Sequence, residues 1–214
     1  MNTVLFDLDG TLTDPAEGIT NSVAHALRRL GIEPPPKNEL TSFIGPPLAD
    51  SFSSQFGFSK EKSALAIELY REYYRDRGIF ENILYPGTKE MLDSIKTAGK
   101  RIMLATSKPE VFAIEILKYF GLYDYFDCCS GASLDEKLVR KADVIALTLA
   151  RSSASPSDCV MVGDRLHDVE GAAAHGIPTV GVLFGYGSEQ ELRDAGAFAT
   201  VSSMSELSEF LLNL

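Results

Sequence analysis

Carboxylates follow two apolar runs of this chain at the points where the runs end abruptly. The first run ends at Phe6 and the second ends at Gly163. The carboxylates behind them are Asp7, Asp9, Asp164 and Asp168. Unpaired charge is strongly disfavoured in a buried place, so carboxylates at the ends of buried strands need a compensating cation. Because Mg²⁺ prefers oxygen ligands, the pattern predicts a site for a hard divalent cation.

A third apolar run, Ile102–Ala105, ends in the hydroxyl residue Thr106. The following residues, with Pro109 in the first turn, predict a helix that starts immediately after it. A hydroxyl group beside free N–H groups at a helix N-terminus makes a good phosphate cradle. Threonine and serine also cap helices for purely structural reasons. The residues alone therefore leave a phosphate site and a plain helix cap as open alternatives.

The composition is that of an ordinary globular protein, and it argues against some partners. The 214 residues are 45% hydrophobic and 23% charged, and 30 Asp and Glu against 20 Lys and Arg give a formal net charge of -10. No basic cluster stands out, which argues against nucleic acid or an anionic membrane as the main partner. Three cysteines among apolar neighbours, a strand at the start and no stretch of membrane-spanning length favour a cytoplasmic protein with reduced thiols.

Short apolar strand patterns alternate with helical patterns along most of the chain. The predicted strands are Thr3–Leu8, Arg101–Thr106, Tyr125–Ser130, Cys159–Gly163 and Thr179–Val182. The predicted helices between them are Gly87–Ala98, Pro109–Phe120, Lys141–Arg151 and Asp168–His175. Such alternation indicates an α/β fold with a Rossmann-like parallel sheet flanked by helices. Ligands of open parallel sheets bind beyond the carboxyl ends of the strands, where we expect Asp7, Thr106 and Asp164 to meet.

The region from Ala16 to Leu84 interrupts this alternation. It contains no convincing strand, and its helical patterns lie at Ala16–Leu30, Pro47–Phe56 and Ser59–Arg77. About 70 residues are far more than an ordinary crossover between parallel strands requires. We therefore predict a helical domain at residues 16–84, inserted into an α/β core domain that comprises residues 1–15 and 85–214.

These motifs, in this order, resemble those of the haloacid dehalogenase (HAD) superfamily of phosphohydrolases. The segment DLDGTLTD at residues 7–14 is similar to the first signature of that family, and GDRLHD at residues 163–168 fits its GDxxxD pattern. The inserted helical segment has the place of the so-called C1 cap domain. The resemblance implies that Asp7 is a nucleophile that becomes phosphorylated and that Asp9 is a general acid and base.

The resemblance also implies the remaining residues of the site. The expected phosphate contacts are Gly10, Thr106, Ser107 and Lys141. The expected ligands of Mg²⁺ are Asp7, Asp164, the backbone carbonyl of Asp9 and Asp168, the last directly or through a water. Lys137 competes with Lys141 for the place of the family's lysine, and we prefer Lys141 because a buried helix begins there. The family's strand order puts the strand before Asp7 between the strands before Thr106 and Asp164.

The implied function is hydrolysis of small phosphomonoesters through an aspartyl-phosphate intermediate. The segments Phe43–Leu48 and Leu183–Ser188 resemble loops of phosphoglycolate-phosphatase-like members, so a small phosphorylated metabolite is the expected partner. The alternatives are a 5′-nucleotidase, a sugar phosphomutase of the β-phosphoglucomutase type and a catalytically silent regulatory protein, and the intact set of site residues speaks against the last. Asp9 argues against a dehalogenase, which needs no acid for its leaving group. Both a monomer and a homodimer are compatible with the sequence.

Overall fold

The computed structural model describes residues 1–135 and 137–214. Its strands are β1 (Thr3–Phe6), β2 (Thr13–Asp14), β3 (Ile83–Leu84), β4 (Arg101–Pro109), β5 (Cys128–Ala132), β6 (Cys159–Gly163), β7 (Thr179–Val182) and β8 (Ala199–Val201). Its helices are α1 (Ala16–Arg29), α2 (Lys37–Leu40), α3 (Leu48–Phe56), α4 (Lys60–Tyr73), α5 (Thr88–Thr97), α6 (Glu110–Tyr119), α7 (Lys141–Ser152), α8 (Leu166–Ala173), α9 (Glu189–Asp194) and α10 (Met204–Leu212). No helix within the described ranges is both long enough and apolar enough to cross a membrane.

The described chain divides into two compact units. The first unit comprises Met1–Asp14 and Leu84–Leu214, and the second comprises Pro15–Ile83. The first unit contains a six-stranded sheet, whereas the second is helical and contains α1 to α4. The short strands β2 and β3 lie where the chain passes from one unit to the other. That the second unit acts as a cap domain stays a prediction.

The sheet of the first unit is parallel, and its strand order is β5-β4-β1-β6-β7-β8. Phe6, the last residue of β1, pairs with Leu104 of β4 and with Val162 of β6, so three strands run side by side toward one edge. One buried cluster of the core consists of Leu5, Met103, Ala105, Val144, Ile145, Cys159, Met161, Ala172 and Ile177. The predicted α/β fold is confirmed, and so is the place of the strand before Asp7 in the middle of the three.

The boundaries of several strands differ from the sequence prediction. β1 ends at Phe6 rather than Leu8, because the carbonyl of Leu8 accepts the hydrogen bonds of a tight turn. β5 begins at Cys128 rather than Tyr125, because residues 123–125 form a short 3₁₀ turn. β8 has no counterpart in the prediction, since its three residues are too few to show a strand pattern. The prediction of a parallel sheet is therefore correct, but it has five strands where the structure has six.

The second unit has an apolar core of its own. Helix α1 packs against α4, and α4 packs against α3. Four aromatic rings contact one another in this core, and they belong to Phe43, Phe52, Phe56 and Phe58. Helix α4 turns its buried face inward with Ala66, Ile67 and Tyr70, and it ends in a π-helical turn at Tyr74–Gly78. These contacts define the unit as a compact helical body.

Candidate active site

The central strands bring three buried carboxylates together at their carboxyl ends. Asp7 follows β1, and its N–H donates a hydrogen bond to the carbonyl of Val162 in β6 at 3.0 Å. Asp164 directly follows β6, and Asp168 lies in the first turn of α8. Each of the three acids offers one carboxylate oxygen, and these oxygens lie within 4.8 Å of one another. A single metal ion could be held at this point.

Lys141 supplies a buried positive charge in the middle of this cluster. Its Nζ lies 2.7 Å from Oδ1 of Asp7 and 2.8 Å from Oδ1 of Asp168, and it donates to the carbonyl of Ala105 at 3.0 Å. Burial opposes the charge on the ammonium group, but Asp168 and Asp7 outweigh that effect and raise the pKa of Lys141. Lys137, the other candidate, is 84% exposed and pairs with Asp135. The structure therefore places Lys141, and not Lys137, beside the acids.

Asp164 and Asp168 have different environments although both are buried. Oδ2 of Asp168 accepts hydrogen bonds from the N–H groups of Asp164 and Arg165, each at 3.1 Å, while its Oδ1 faces Lys141. Oδ2 of Asp164 accepts from the N–H of Tyr186 at 2.8 Å, and its Oδ1 is buried with no hydrogen-bond partner in the described chain. Burial, together with the neighbouring acids, raises the pKa of Asp164. Asp168 is thus fully engaged by the protein, whereas Asp164 has one oxygen left for a ligand.

Gly10 allows the first loop to pass directly over Asp164. Its φ of +81° lies in the left-handed region that L side chains rarely adopt. A Cβ at this position would lie only 2.2 Å from Oδ2 of Asp164. The N–H of Gly10 donates to the carbonyl of Thr13 at 2.8 Å, which closes the loop behind Asp9. Any side chain at residue 10 would therefore displace the Asp164 carboxylate.

The environment of Thr106 differs from the sequence prediction. β4 continues to Pro109 and α6 begins at Glu110, so the predicted helix start immediately after Thr106 is wrong. The pairing of β4 with β5 shifts register between Thr106 and Pro109. Thr106 itself is buried, and its Oγ1 accepts a hydrogen bond from the N–H of Lys108 at 3.2 Å. An irregular strand end, with Ser107 in it, takes the place that the sequence assigned to a helix N-terminus.

Lys108 is a site residue that the sequence reasoning missed. Its Nζ lies 2.5 Å from Oδ2 of Asp9, and the two side chains are only 6% and 12% exposed. Burial raises the pKa of the Asp9 carboxyl, and Lys108 acts in the opposite direction. An isolated lysine usually lies on the surface, so its type gave no signal. Its position two residues beyond Thr106, at the end of an apolar strand, is the signal that could have found it.

A second missed group lies in the loop after β7. The hydroxyl of Tyr186 donates a hydrogen bond to Oδ1 of Asp14, and the backbone N–H of the same residue donates to Asp164. The ring of Tyr85 packs edge-on against Phe184, with 5.2 Å between the ring centroids. Burial, followed by nearby carboxylates, raises the pKa of both tyrosines, so both hydroxyls are protonated at neutral pH. This loop therefore ties Asp164 to the end of the first segment of the unit.

The donor set of the site fits a hard divalent cation. The charged groups described are the carboxylates of Asp7, Asp9, Asp164 and Asp168 and the ammonium groups of Lys108 and Lys141. Lys108 pairs with Asp9, and Lys141 is shared between Asp7 and Asp168, so the acids of the site outnumber the ammonium groups that face them. A divalent cation would offset that excess of negative charge. Oδ1 of Asp164 is buried and has no hydrogen-bond partner among residues 1–135 and 137–214, and such an atom is costly to bury unless something binds it. Oxygen donors of this kind suit Mg²⁺.

The fold and the site together define an α/β enzyme whose acids, lysines and buried threonine meet at the carboxyl edge of a parallel sheet. Comparison with known proteins identifies the group to which it belongs. The chain is a member of the haloacid dehalogenase-like hydrolase family, whose model matches residues 4–182. The family predicted from the sequence motifs is thereby confirmed, and the protein is a hydrolase.

Several relatives are similar over most of this chain. A 5′-nucleotidase of Pseudomonas aeruginosa is 44% identical over 190 residues, which cover 89% of this chain and 86% of that protein. The tyrosine-protein kinase PtkA of Mycobacterium tuberculosis is 45% identical over 185 residues, which cover 86% of this chain and 62% of that protein. A phosphoglycolate phosphatase of Neisseria meningitidis is 33% identical over 197 residues, which cover 86% of this chain and 81% of that protein. The crystal structure of a predicted phosphatase from Clostridium acetobutylicum is similar with a TM-score of 0.97 and 45% identity, covering 100% of this chain and 99% of that one.

Proposed function

We propose that this protein is a Mg²⁺-dependent phosphatase that hydrolyses small phosphomonoesters through an aspartyl-phosphate on Asp7. The observation that carries the proposal is the ammonium group of Lys141, which lies 2.7 Å from Asp7 and 2.8 Å from Asp168. Oδ1 of Asp164 has no hydrogen-bond partner in the part of the chain that the structure describes. Together with it, this arrangement combines a carboxylate nucleophile, a fixed positive charge and an oxygen able to bind a metal in one buried site. Membership of a hydrolase family supports the same reaction.

The first half-reaction uses the two acids of the first loop. A carboxylate oxygen of Asp7 attacks phosphorus, and the bond between phosphorus and the leaving oxygen breaks. Protonated Asp9 gives its proton to that oxygen, so that an alcohol leaves. Lys141 and the hydroxyl of Thr106 stabilise the charge on the remaining phosphoryl oxygens. Bound Mg²⁺, held by Asp7, Asp164 and the backbone carbonyl of Asp9, would shield the phosphate charge from the attacking carboxylate.

The second half-reaction restores the enzyme. A water molecule attacks the phosphorus of the aspartyl-phosphate while Asp9, now a carboxylate, takes the proton of that water. The bond between phosphorus and the Asp7 oxygen breaks, and inorganic phosphate leaves. Both acids then have their starting protonation states. The same Asp9 therefore serves as acid in one step and as base in the next.

We propose nucleoside 5′-monophosphates as the first substrate class and phosphoglycolate as the second. The 44% identity to a protein named 5′-nucleotidase exceeds the 33% identity to one named phosphoglycolate phosphatase. The similarity of residues 43–48 and 183–188 to loops of phosphoglycolate phosphatases keeps the second class in the proposal. The test is release of inorganic phosphate from a panel that contains nucleotides, phosphoglycolate, sugar phosphates and phosphotyrosine, with Mg²⁺ present. No release from any of them, with folded protein and Mg²⁺ bound, would overturn the proposal.

Asp7→Asn should retain the fold and lose turnover, because an amide is a very poor nucleophile at phosphorus. We expect kcat to fall by a factor of roughly 10⁴ or more, as for removal of a covalent nucleophile. The matched control is Asp194→Asn, which makes the same change at an exposed acid on α9 and should leave kcat unaltered. Near-normal turnover of the Asp7 variant would contradict the assigned nucleophile. Trapping the phosphorylated enzyme and mapping the label to residue 7 measures the intermediate directly.

A further inference from the structure

The ion pair between Lys108 and Asp9 has no part in the two half-reactions described above. The Lys108 ammonium lies 2.5 Å from Oδ2 of Asp9, and both side chains are almost fully buried. Oδ1 of Asp9 is also buried, and it has no hydrogen-bond partner among the described residues. The two oxygens of this carboxyl group are therefore not equivalent. One is fixed by a cation, and the other is left to exchange a proton.

Local structure restrains the backbone of Lys108 from two sides. Its backbone N–H donates to Oγ1 of Thr106 at 3.2 Å, within the segment where β4 shifts register against β5. Pro109, the next residue, has a restricted φ and ends the strand. The lysine thus projects from a short, conformationally restricted strand end. A charge placed on such an element can set the orientation of the acid that it pairs with.

We propose that Lys108 is a positioning residue for the acid–base group Asp9. By binding Oδ2, it holds the carboxyl so that Oδ1 exchanges the proton with the leaving oxygen in one step and with water in the next. The inference rests on the general-acid role that the proposed function gives to Asp9. Under this proposal, the acid–base role of Asp9 depends on a lysine at the end of β4, whereas Asp9 itself lies in the loop after β1. Lys108 acts through Asp9 and forms no bond to the substrate.

The leaving group distinguishes this role from a merely structural one. An alkyl phosphate expels a strongly basic alkoxide, which needs the proton as the phosphorus–oxygen bond breaks. p-Nitrophenyl phosphate expels a stabilised phenolate, which leaves without it. A misplaced acid therefore slows alkyl phosphates far more than p-nitrophenyl phosphate. General damage to the fold would slow both alike.

The experiment compares Lys108→Met, Asp9→Asn and the double variant with the full chain, all with Mg²⁺ present. The substrates are p-nitrophenyl phosphate and β-glycerophosphate, and the measured quantity is kcat/KM, which reports the first half-reaction. We expect Lys108→Met to lower kcat/KM for β-glycerophosphate by at least about tenfold more than for p-nitrophenyl phosphate, since general acids contribute factors of 10² to 10⁴. The double variant should be no slower than Asp9→Asn, because Lys108 has no task once the acid is gone.

The outcomes separate the inference from the proposed function. If Asp9→Asn lowers kcat/KM equally for both substrates, the acid role of Asp9 fails, and the proposed function must change. The other case is that Asp9→Asn lowers kcat/KM more for β-glycerophosphate than for p-nitrophenyl phosphate. If Lys108→Met then lowers kcat/KM equally for the two substrates, the positioning role of Lys108 is overturned. If Lys108→Met does not fold, the double variant remains usable, because removing both partners of a buried pair costs less than removing one. A further loss in the double variant beyond Asp9→Asn would then count against the inference.

Discussion

At the scale of single residues, the site is an arrangement of acids with distinct surroundings. Asp168 has both oxygens occupied by N–H groups and by Lys141, so it positions the lysine and the loop at residue 164. Asp164 has one oxygen held by Tyr186 and one without a partner in the described chain. This contrast supports Asp164 as a direct metal ligand. The sequence left two roles open for Asp168, binding Mg²⁺ directly or binding it through a water. The same contrast supports binding through a water.

Mg²⁺ should stabilise the folded protein, and Asp164→Asn should remove most of that effect. A ligand at 100 times its dissociation constant adds about 2.7 kcal/mol to the stability, which shifts Tm by several degrees in a protein of this size. The measurement is Tm by calorimetry with and without Mg²⁺, after treatment with EDTA. The variant alone should keep or gain stability, because it removes one charge from an acidic cluster. An equal Mg²⁺ shift in the variant and the unaltered protein would show that the metal binds elsewhere.

The extent to which this site follows from the sequence depends on what each residue contacts. Asp7, Thr106 and Asp164 follow from the ends of apolar runs, because parallel strands end at one edge. The structure places all three at that edge, with Asp7 and Asp164 in one cluster, and their catalytic roles stay predictions. Lys108 could not be found in the same way, since its pairing with Asp9 joins positions 99 residues apart. The neighbouring places of β1 and β4 were predicted, but the register shift of β4 between Thr106 and Pro109, the segment that carries Lys108, leaves no mark in the apolar pattern.

At the scale of elements, the loop between β7 and α9 forms one wall of the acid cluster. A Cβ at Gly185 would lie 2.4 Å from Cβ of Asp164 and 2.4 Å from the carbonyl oxygen of Gly10. At Gly187 it would lie 2.0 Å from the backbone oxygen of Asp164. Between these glycines, Tyr186 binds Asp14 and Asp164. The loop is therefore a packed element of the site, although its sequence is typical of a flexible turn.

Gly185→Ala should lower both stability and turnover, because the new methyl group must push against backbone and the Asp164 side chain. Overpacking of this kind costs about 1–3 kcal/mol. The matched control is Gly99→Ala, since Gly99 has a positive φ of +77° but open space around it. The control should lose about 1 kcal/mol through backbone strain and keep full kcat. Denaturant unfolding and kcat measure the two effects, and full turnover of Gly185→Ala would contradict the tight packing of this loop.

The boundaries of elements were harder to predict than their existence. Helix α7 begins at Lys141 as predicted, because a clear apolar periodicity starts there. Strand β5 begins three residues later than predicted, because Tyr125 suits a strand by type but belongs to a 3₁₀ turn at residues 123–125. β4 runs three residues beyond Thr106 because it continues to pair with β5 after a register shift. Tertiary pairing thus set these ends, and local preference did not.

At the scale of the whole molecule, the first unit has its own sheet and its own core. Its two chain segments, Met1–Asp14 and Leu84–Leu214, are joined by hydrogen bonds close to the points where the second unit begins and ends. The N–H of Tyr85 donates to the carbonyl of Leu12 at 3.1 Å, and Oγ1 of Thr88 donates to the same carbonyl at 3.4 Å. The segment Pro15–Ile83 therefore leaves and returns at neighbouring points. A short flexible linker can bridge Asp14 and Leu84 without straining the sheet.

Replacing Pro15–Ile83 by a short Gly/Ser linker should leave a folded unit that hydrolyses p-nitrophenyl phosphate but has lost its substrate preference. All the acids and lysines of the site belong to the first unit, so the chemistry should remain. We expect the second unit to supply selectivity and exclusion of water, as mobile elements over hydrolytic sites do. The measurement is kcat/KM for p-nitrophenyl phosphate beside the best substrate of the panel, in both proteins. Cooperative thermal unfolding of the shortened chain is the control for its fold. If the ratio of the two kcat/KM values is the same in both proteins, selectivity belongs to the first unit, around Tyr186, and this prediction is wrong.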